Sequence, residues 1–302
     1  MTSVENPLVS IITVNYNGLE VTSAFLKSLK SLTYPNFEVI IVDNASSVNP
    51  TSDLLEIYPQ AKVIMSKENL GFAGGNNLGI KNAKGDFLFF VNNDTELTAN
   101  IIETLMETTQ NLKNVGIVCP KFHYFFHPGI IEYAGYHKMN FLTARNKMVG
   151  NKEKDLGQHN EPKETNYAHG GAMLVARQVI NKVGPLPECY FLYYEEFDWC
   201  EQIKRKGLKI YYQPNALIYH KESMTTGKES LLKTYYLTRN RLLFMRRNAT
   251  TSQFFIFLIF FTLFTIPKNI LSFLVRGKIN HLKAFTKGIS WHLTANKNLV
   301  YN

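Results

Sequence analysis

Short apolar runs alternate with segments of helical spacing along the first part of the chain. Each run is rich in Val, Ile and Phe and carries almost no charge, which is typical of a strand buried on both faces. The pattern predicts strands at residues 9–16, 37–43, 61–65 and 86–92, and helices at residues 19–32, 53–58, 76–83 and 101–112. We therefore expect an α/β fold whose parallel sheet is covered by helices on both faces.

Polar clusters follow three of these predicted strands. They lie at residues 15–17, 43–46 and 92–94, each just after the carboxyl end of a strand. Open α/β sheets bind ligands along that edge, because the carboxyl ends of parallel strands meet there. The pattern therefore predicts a ligand site at the carboxyl edge of the sheet.

The middle of the chain is less regular, and its apolar segments indicate a more antiparallel part of the sheet. From Lys228 onward the spacing is helical. The sequence therefore predicts two parts, an α/β domain at residues 1–225 and a basic and apolar helical region at residues 226–302. In the middle segment we predict a polar loop at residues 150–163 and strands at residues 115–124, 131–142, 167–176, 208–213 and 216–220.

The charge of the chain favours anionic partners. Lys and Arg together number 33 and Asp and Glu 24, which gives a net charge of +9 over 302 residues. The basic excess is concentrated after Lys228. Nucleic acid, anionic lipid and phosphorylated small molecules all fit such a charge.

The cysteines and the first residues suggest the compartment. Cys119, Cys189 and Cys200 lack the close spacing of a structural zinc site or a disulfide framework, which favours a reducing environment. The opening stretch MTSVENPLVS lacks the basic and then apolar layout of a secretory signal. We expect a cytoplasmic protein.

Two polar segments have both a structural and a ligand-binding interpretation. Asp43 is either the start of an Asx turn or an acid that accepts hydrogen bonds from a nucleotide base or ribose. The stretch NLGFAGGNNLG at residues 69–79 is either a tight turn or a loop whose backbone N–H groups approach a phosphate or a sugar. Its spacing matches neither a Rossmann fingerprint nor a P-loop.

The stretch FVNNDT at residues 90–95 has the layout of a divalent-cation site, with an acid after a buried strand. Mg²⁺ or Mn²⁺ at a diphosphate needs only one or two carboxylates, because phosphate oxygens and water complete the coordination. Asp94 is the candidate ligand, and Asn92 or Asn93 could hydrogen-bond the ligand or a metal-bound water. The alternative is that this stretch caps a helix that begins near Thr98.

Three acids lie close together in the stretch YYEEFDWC. Glu195, Glu196 and Asp198 repel one another, so at least one pKa should rise, as suits a general base. The alternative is that they cap a helix at residues 198–206. His220 follows a predicted strand and is either a metal ligand or a structural residue.

Taken in order, these features resemble the family 2 glycosyltransferases, and most closely their rhamnosyltransferase-like bacterial branch. The resemblance covers about residues 8–247 and includes the segment YYLTRNRLLF. It implies a GT-A fold, which is a Rossmann-like mixed sheet with helices on both faces, together with a sugar-nucleotide donor, a divalent cation and inversion at the anomeric carbon. The matching segments are VSIITVNYNG, VDNASS, NLGFAGGNNLGI, FLFFVNNDTEL, GGAMLVAR, YFLYYEEFDWCEQIKRKG and ALIYHKES.

The resemblance also implies which residues bind the two substrates. Gly170 and Gly171 fall on the stretch that lines the acceptor side. The positions that fall on the donor side are Asn15, Asp43, Asn69, Gly71, Gly74, Asn76, Asn92 and Asn93.

For the chemistry, the resemblance implies that Asp94 is the last residue of the DXD metal motif and that His220 helps to bind the metal. Glu195 and Glu196 fall on the ED motif, whose second acid is the base. Two residues depart from the family pattern. Asn92 replaces the first acid of DXD, which is common in this branch, and Glu196 replaces the usual Asp, which leaves Asp198 as a second candidate for the base.

These roles predict an inverting glycosyltransferase of bacterial cell-surface polysaccharide synthesis. The donor would be dTDP-rhamnose or a UDP-hexose, and the acceptor a saccharide or a polyprenyl-linked saccharide. The alternative is a non-catalytic sugar-nucleotide-binding or scaffolding member of the same fold. We do not expect nucleic-acid binding, because the basic residues surround an apolar segment and no nucleic-acid-binding module is recognisable.

An apolar run near the C-terminus has basic residues on both sides. Residues 254–266, FFIFLIFFTLFTI, would span about 20 Å as a helix, short of the roughly 30 Å hydrocarbon core of a bilayer, and Pro267 follows. We expect a helix in the anionic cytoplasmic leaflet, so that the protein is peripheral on the inner face of the plasma membrane. The alternatives are a buried helix in a helical lobe, a homo-oligomer interface or a single membrane pass.

Overall fold

A single mixed sheet forms the centre of this computed structural model. The structure describes residues 6–221 and 230–294, so the domain boundary predicted at residue 225 lies outside the described residues. The strands are β1 (Val9–Asn15), β2 (Phe37–Asp43), β3 (Lys62–Met65), β4 (Phe87–Val91), β5 (Thr95–Leu97), β6 (Val115–Tyr124), β7 (Ile131–Tyr133), β8 (Lys163–Thr165), β9 (Ala172–Ala176) and β10 (Lys209–His220).

The strand order joins a parallel half to an antiparallel half. Along the sheet the order is β3-β2-β1-β4-β9-β6-β10-β5, and β7 and β8 pair with β6 and β10. Strands β1 to β4 are parallel, β9 is antiparallel to both of its neighbours, and β10 is parallel to β6. The carboxyl ends of β1, β2 and β4 therefore share one edge, as the polar clusters after them predict.

Helices connect most of these strands and make up the C-terminal part. A π-helical turn at Phe261–Thr265 joins two of them, and a 3₁₀ turn lies at Glu188–Tyr190. The helices are α1 (Leu19–Leu29), α2 (Thr51–Ile57), α3 (Gly71–Asn82), α4 (Ile101–Asn111), α5 (Arg177–Val183), α6 (Glu195–Arg205), α7 (Leu231–Asn248), α8 (Thr251–Phe260), α9 (Ile266–Val275) and α10 (Ile279–Thr294).

The glycine-rich segment is helical, which corrects both the predicted loop and the predicted helix start. Helix α3 begins at Gly71 because acceptors elsewhere in the chain take up its first N–H groups. Leu70 N donates to Asn44 Oδ1 at 2.9 Å, and Phe72 N donates to Phe191 O at 2.7 Å. Gly71 has a φ of +71°, and a Cβ there would lie 2.1 Å from Phe191 O. A residue with a side chain would not fit this position.

Gly79 lets α3 approach the central strand closely. A Cβ at this position would lie 2.4 Å from Ile12 Cγ2, and the Ile12 side chain is fully buried in β1. This glycine therefore serves helix–strand packing, and the sequence alone does not distinguish that role from ligand binding.

The middle strands differ in length from the prediction. Strand β7 ends at Tyr133, and β9 begins at Ala172, because the intervening chain forms turns, isolated bridges and the short strand β8. The two strands predicted at residues 208–220 are one strand, β10, whose register against β6 shifts between Gln213 and Leu217. Pro214 lies in this shift, where its missing N–H does not interrupt the ladder.

The apolar C-terminal run is longer than the prediction allows. Residues Thr251–Val275 form one continuous helix of 25 residues, and in the described part of the chain this is the one helix long and apolar enough to cross a membrane by length and composition. Pro267 does not end it, because the π turn before the proline widens the helix and Asn269 Nδ2 donates to Thr265 O at 2.8 Å.

Helix α7 ties the C-terminal part to the sheet. Its side chains Leu242, Leu243, Phe244 and Met245 are buried in the same core as the strands. Helix α10 packs along α7, and α7 in turn contacts α6, which carries the acid-rich segment at residues 195–198.

We predict that Gly79→Ala destabilises the protein by about 1–2 kcal/mol. Forcing Ile12 aside should cost about 1–3 kcal/mol, whereas alanine restores at most about 1 kcal/mol of helix propensity. Urea denaturation of both proteins measures the difference.

Lys81→Ala is the matched control, because Lys81 is exposed on the same helix and its replacement should change stability by less than about 0.5 kcal/mol. A Gly79→Ala protein as stable as this control would contradict the packing role.

Candidate active site

An open cleft of about 510 Å³ lies at the carboxyl edge of the sheet, where β4 meets the antiparallel strand β9. Ten of the residues predicted to form the site line this cleft. They are Asn69, Gly71, Asn92, Asn93, Asp94, Gly170, Gly171, Glu195, Glu196 and His220.

Five predicted site residues do not line the cleft. Gly74 and Asn76 lie within α3, where Asn76 Nδ2 donates to Phe72 O at 2.9 Å. Asn15 and Asp43 are buried behind the cleft, and Asp198 lies on the far side of α6.

Asn15 and Asp43 belong to a buried polar chain that joins three strand ends. Asn93 Nδ2 donates to Thr22 Oγ1 at 2.8 Å, and Thr22 Oγ1 donates to Asn15 Oδ1 at 2.8 Å. Asn15 Nδ2 then donates to Asp43 Oδ2 at 2.7 Å, and Asp43 also accepts from Ser46. The chain fixes the end of β4, from which Asp94 projects.

The donor-side wall contains a residue that sequence reasoning did not single out. Asn44 lines the cleft, and its Nδ2 donates to Asn69 Oδ1 at 2.9 Å and to Gly71 O at 3.0 Å. Because Asn44 also accepts from Leu70 N, this one amide sets the start of α3. The backbone N–H groups of residues 70–72 are thus occupied by the protein itself.

Asp94 does not cap a helix. Strand β5 follows it directly, and α4 begins only at Ile101, so the predicted helix start near Thr98 is wrong. Asp94 Oδ1 lies 3.3 Å from His220 Nε2 at the end of β10. Two positions that are far apart in the chain therefore meet across the cleft.

Glu132 orients this histidine. His220 Nδ1 lies 2.7 Å from Glu132 Oε2 and 3.0 Å from Oε1, and Glu132 is 4% exposed. Burial raises the pKa of Glu132, but the hydrogen bonds with His169 and His220 outweigh it and lower the pKa to about 2. Burial also lowers the pKa of His220, whereas Asp94 and Glu132 raise it to about 10.

Glu132 and His169 were missed by sequence reasoning. His169 Nε2 lies 3.6 Å from Glu132 Oε1, and His169 Nδ1 accepts from Gly171 N at 3.1 Å. Glu132 sits in a strand of three residues with no motif around it, so no sequence signal marks it. His169 directly precedes the glycine pair, and this adjacency was the available signal.

The acid pair lines the same cleft. Burial raises the pKa of Glu195 well above its ordinary value, and the charge of Glu196 adds to that rise. Burial raises the pKa of Glu196 to about 7. A Cβ on Gly170 would lie 3.6 Å from Glu196 Cγ, so the glycine leaves the space over this carboxyl group open.

The backbone that leads into α6 is strained. Phe191, Tyr193 and Tyr194 have positive φ values of 64°, 68° and 78°, a conformation that residues with side chains rarely adopt. Such strain persists only where surrounding contacts hold it, and it is frequent at functional sites.

Two residues of α7 hold this strained segment. Arg239 Nη2 donates to Cys189 O at 2.9 Å and also to Tyr190 O. Asn240, which is 0% exposed, points Nδ2 at the carbonyl oxygens of residues 190, 192 and 193, at 3.0, 2.7 and 2.7 Å. We call Arg239 and Asn240 the α7 clamp.

Asp198 takes part in a structural ion pair. Its Oδ2 lies 2.5 Å from Arg247 Nε, and its Oδ1 accepts from Asn248 Nδ2 at 3.2 Å. The side chain is fully buried and does not face the cleft. Glu196 is therefore the better placed of the two candidates for a base.

The described residues contain no cluster of three or more His, Cys, Asp or Glu side chains arranged to hold a metal ion. Asp94 and His220 supply one carboxylate and one imidazole. Such a pair suits Mg²⁺ or Mn²⁺ only if the ligand's phosphate oxygens and water complete the coordination. This donor set fits a cation that arrives with a diphosphate.

The chain is similar to several curated glycosyltransferases. It is 28% identical over 254 residues to the low-salt glycan biosynthesis hexosyltransferase Agl10 of Haloferax volcanii, which covers 81% of this chain and 76% of the relative. It is 35% identical over 108 residues to WfgD of Escherichia coli, a UDP-Glc:alpha-D-GlcNAc-diphosphoundecaprenol beta-1,3-glucosyltransferase, over 35% of this chain and 42% of that one. It is 22% identical over 246 residues to an N-acetylglucosaminyl-diphospho-decaprenol L-rhamnosyltransferase of Mycobacterium tuberculosis, over 72% and 78% of the two chains.

Solved structures share the fold. GalNAc-T7 with UDP, GalNAc and Mn²⁺ matches with a TM-score of 0.59 and 16% identity, over 77% of this chain and 48% of the other. The mannosyltransferase PcManGT from Pyrobaculum calidifontis, in complex with GDP-Man and Mn²⁺, matches with a TM-score of 0.57 and 15% identity, over 98% and 78%. Together with the mixed sheet, these matches confirm the GT-A fold.

The family model for glycosyl transferase family 2 matches residues 10–184, a span that contains the strand ends around the donor side of the cleft as well as Asp94, Glu132 and Gly170. The chain therefore belongs to glycosyl transferase family 2 and is a glycosyltransferase.

Proposed function

We propose that this protein transfers a sugar, with inversion, from a nucleoside-diphosphate sugar to a hydroxyl group of a lipid-linked saccharide. The observation that supports the proposal is that one cleft holds both the pair Asp94 and His220 and the acid pair Glu195 and Glu196. The first pair suits a cation on the leaving diphosphate, and the second suits removal of a proton from the acceptor.

The donor would lie against Asn44, Asn69 and Gly71, with its diphosphate directed toward Asp94. We propose dTDP-rhamnose or a UDP-hexose as the donor. The relatives support this choice, since one is named as an L-rhamnosyltransferase and another as a UDP-Glc-dependent glucosyltransferase.

Asp94 and His220 would hold the divalent cation, which, when bound, neutralises the negative charge that develops on the departing diphosphate. Glu132 keeps the His220 ring oriented, because a carboxylate that binds Nδ1 leaves Nε2 directed toward Asp94. Since a metal-binding imidazole nitrogen must be unprotonated, cation binding would release the proton that Asp94 otherwise stabilises on His220.

Glu196 would act as the general base. With a pKa of about 7, it is partly deprotonated at neutral pH and can accept the proton of the acceptor hydroxyl. Burial and the charge of Glu196 raise the pKa of Glu195, which favours its protonated form, and this form can donate a hydrogen bond in the cleft. The two neighbouring carboxyl groups thereby take different protonation states.

The acceptor assignment rests on the relatives and on the C-terminal surface. Two of the relatives act, by their names, on a sugar joined to a polyprenol through a diphosphate. The long helix Thr251–Val275 exposes a row of large apolar side chains, and only 17% of its most apolar window is buried. We propose that this surface contacts the cytoplasmic leaflet, where such an acceptor would be presented. The exposed side chains include Phe255, Ile256, Ile259, Leu263, Phe264, Leu271 and Leu274.

A panel of donors tests the proposed reaction. The full-length protein is incubated with dTDP-rhamnose, UDP-glucose, UDP-galactose, UDP-GlcNAc or GDP-mannose, with and without Mn²⁺, and release of the nucleoside diphosphate is measured. We expect metal-dependent release from one donor. Binding of a donor without any release, with or without a polyprenyl-linked acceptor, would favour a non-catalytic sugar-nucleotide-binding protein.

We predict that Glu196→Gln lowers the transfer rate by about 10²–10⁴-fold, because the amide cannot accept the proton. Donor affinity should stay within about two-fold, as measured by calorimetry, since Glu196 is not among the residues assigned to the donor. Asp198→Asn is the control, and it should lower thermal stability but keep turnover. The reverse outcome would move the role of base to Asp198.

The transfer rate should fall as the pH is lowered through about 7, because protonation removes the base. Ionisation of Glu196 has the opposite effect on the stability of the fold. The folded-state pKa of Glu196 lies above its ordinary value of 4.5, so ionisation destabilises the folded state as the pH rises from about 4.5 to 7. Glu196→Gln should therefore become more stable relative to wild type over that range, as thermal melts would measure.

We predict that Glu132→Gln weakens Mn²⁺ binding by about 10–100-fold, because the amide orients His220 less strongly than a carboxylate does. The measurement is calorimetric titration of Mn²⁺ in the presence of the nucleoside diphosphate. Asp94→Ala should abolish binding and activity together. Glu164→Gln, an exposed residue on β8, is the control, and an equal loss in this variant would contradict the assignment.

A further inference from the structure

A second cavity, of about 350 Å³, lies behind the segment that carries the acid pair. Helices α7, α9 and α10 and the π turn form its walls, and Ala144 and Arg145 close one side. We call it the arginine cavity and define it by Arg145, Tyr194, Arg241, Phe261, Thr265 and Phe273.

The arginine cavity carries two arginines, and none of the described residues that line it is acidic. Within residues 6–221 and 230–294, no ion pair joins Arg145 or Arg241 to a carboxylate. Both guanidinium groups lie over aromatic rings, Arg145 at 6.0 Å from the centre of Phe260 and Arg241 at 5.4 Å from that of Phe261. Burial and the nearby Arg145 lower the pKa of Arg241, and Tyr194 opposes this lowering.

Two buried polar groups at this cavity have no hydrogen-bond partner among the described residues. Arg241 Nε is one of them, although another nitrogen of the same guanidinium donates to Thr143 O. The second is Thr265 Oγ1, on a residue that is 4% exposed. Buried polar groups are rarely left unpaired, since each such group costs about 1–3 kcal/mol. A ligand that accepts from both groups would remove this cost.

Thr265 also ends the π-helical turn. Such turns are rare and frequently mark functional sites, because the inserted residue turns side chains out of the regular helical register. Here the turn carries both Phe261 and Thr265, which line the cavity. The π turn therefore places these two side chains in the wall of the cavity.

The arginine cavity adjoins the acceptor side of the cleft. Tyr194 lines the cavity, whereas its neighbours Tyr193 and Glu195 line the cleft. Burial raises the pKa of Tyr194 to about 12, with Arg241 opposing the rise and Glu196 adding to it. One tyrosine ring thus lies within electrostatic reach of the arginines and of the proposed base.

The composition of the walls indicates what kind of molecule fits. Two guanidinium groups suit phosphoryl oxygens, which they bind with paired hydrogen bonds. The aromatic residues suit an apolar chain, and beside them the exposed Leu263 and Phe264 continue the apolar surface. An amphiphile with a phosphate head matches both parts, whereas a free anion would match only the arginines.

We propose that the arginine cavity binds the diphosphate of a polyprenyl-linked saccharide and so holds its sugar at the cleft beside Glu196. This inference rests on the proposed function, since it names the acceptor of the same reaction. The donor diphosphate is assigned to Asp94 and His220, which line the cleft and not the arginine cavity. The two diphosphates therefore do not compete for one site.

The test measures binding of the full-length protein to liposomes by sedimentation. Three kinds of phosphatidylcholine liposome are compared, carrying polyprenyl diphosphate, the neutral polyprenol, or phosphatidylglycerol at the same surface charge. We expect Arg145→Gln to weaken binding to the polyprenyl diphosphate liposomes by about ten-fold and to leave the other two unchanged within about two-fold. Lys147→Gln is the matched control, because Lys147 is exposed on the same loop and lines neither cavity.

Thr265→Val is a second variant, chosen because valine has nearly the same shape. Loss of an unpaired buried hydroxyl should keep or raise the melting temperature of the free protein. If the hydroxyl binds the ligand, the same variant should bind polyprenyl diphosphate liposomes several-fold more weakly. A structural role for Thr265 would not produce this combination.

Three outcomes would overturn the proposal. Arg145→Gln could bind like Lys147→Gln, or it could lose phosphatidylglycerol binding equally, which would indicate a general lipid-headgroup site. Inorganic diphosphate could displace the protein from liposomes at concentrations matching those of the lipid, which would indicate a free phosphate site. Nucleotide release from the donor panel is measured separately, so a protein without transferase activity can still bind polyprenyl diphosphate through Arg145.

Discussion

The contact between the α7 clamp and the strained segment before α6 is the interaction on which both cavities depend. Three residues with side chains adopt left-handed backbone conformations there, and isolated peptides would not hold them. Hydrogen bonds from Arg239 and Asn240 to the carbonyl oxygens of residues 189, 190, 192 and 193 offset that cost. Because the segment ends at Glu195, its shape decides where the acid pair points.

Different surroundings give two glutamates of the site very different pKa values. Glu132 lies between two histidines, and its pKa is lowered to about 2, whereas Glu196 lies in an apolar wall, and its pKa is raised to about 7. A permanently ionised carboxylate suits orientation of a ligand, and one that titrates near neutrality suits proton transfer. The same type of side chain thus has a lowered pKa at one position and a raised pKa at the other.

The sequence was most informative where the signal was local. The strands that end at Asn15, Asp43 and Val91 were predicted within about a residue, because buried parallel strands are continuous apolar runs. The acids after them were visible for the same reason. The acid cluster and His220 were already candidates from the residues, and the family resemblance then implied their roles.

The features that were missed depend on partners far along the chain. The helical start of α3 needs the side chain of Asn44 and the carbonyl group of Phe191. Glu132 can be recognised as a site residue only in the folded protein, where β7 places it beside His220. The long helix continues past Pro267 because a π turn precedes it, and amino-acid composition does not predict such a turn.

The α7 clamp also limits how this enzyme can exchange parts with its relatives. A chimera joined near residue 225 would combine the strained segment of one parent with the clamp of the other. Arg239 and Asn240 must come from the same parent as residues 189–193. Otherwise the chimera would keep its strands, but its acid pair would no longer be oriented toward the cleft. Recombination between such genes should therefore succeed more often when the junction falls after Asn248, where α7 ends.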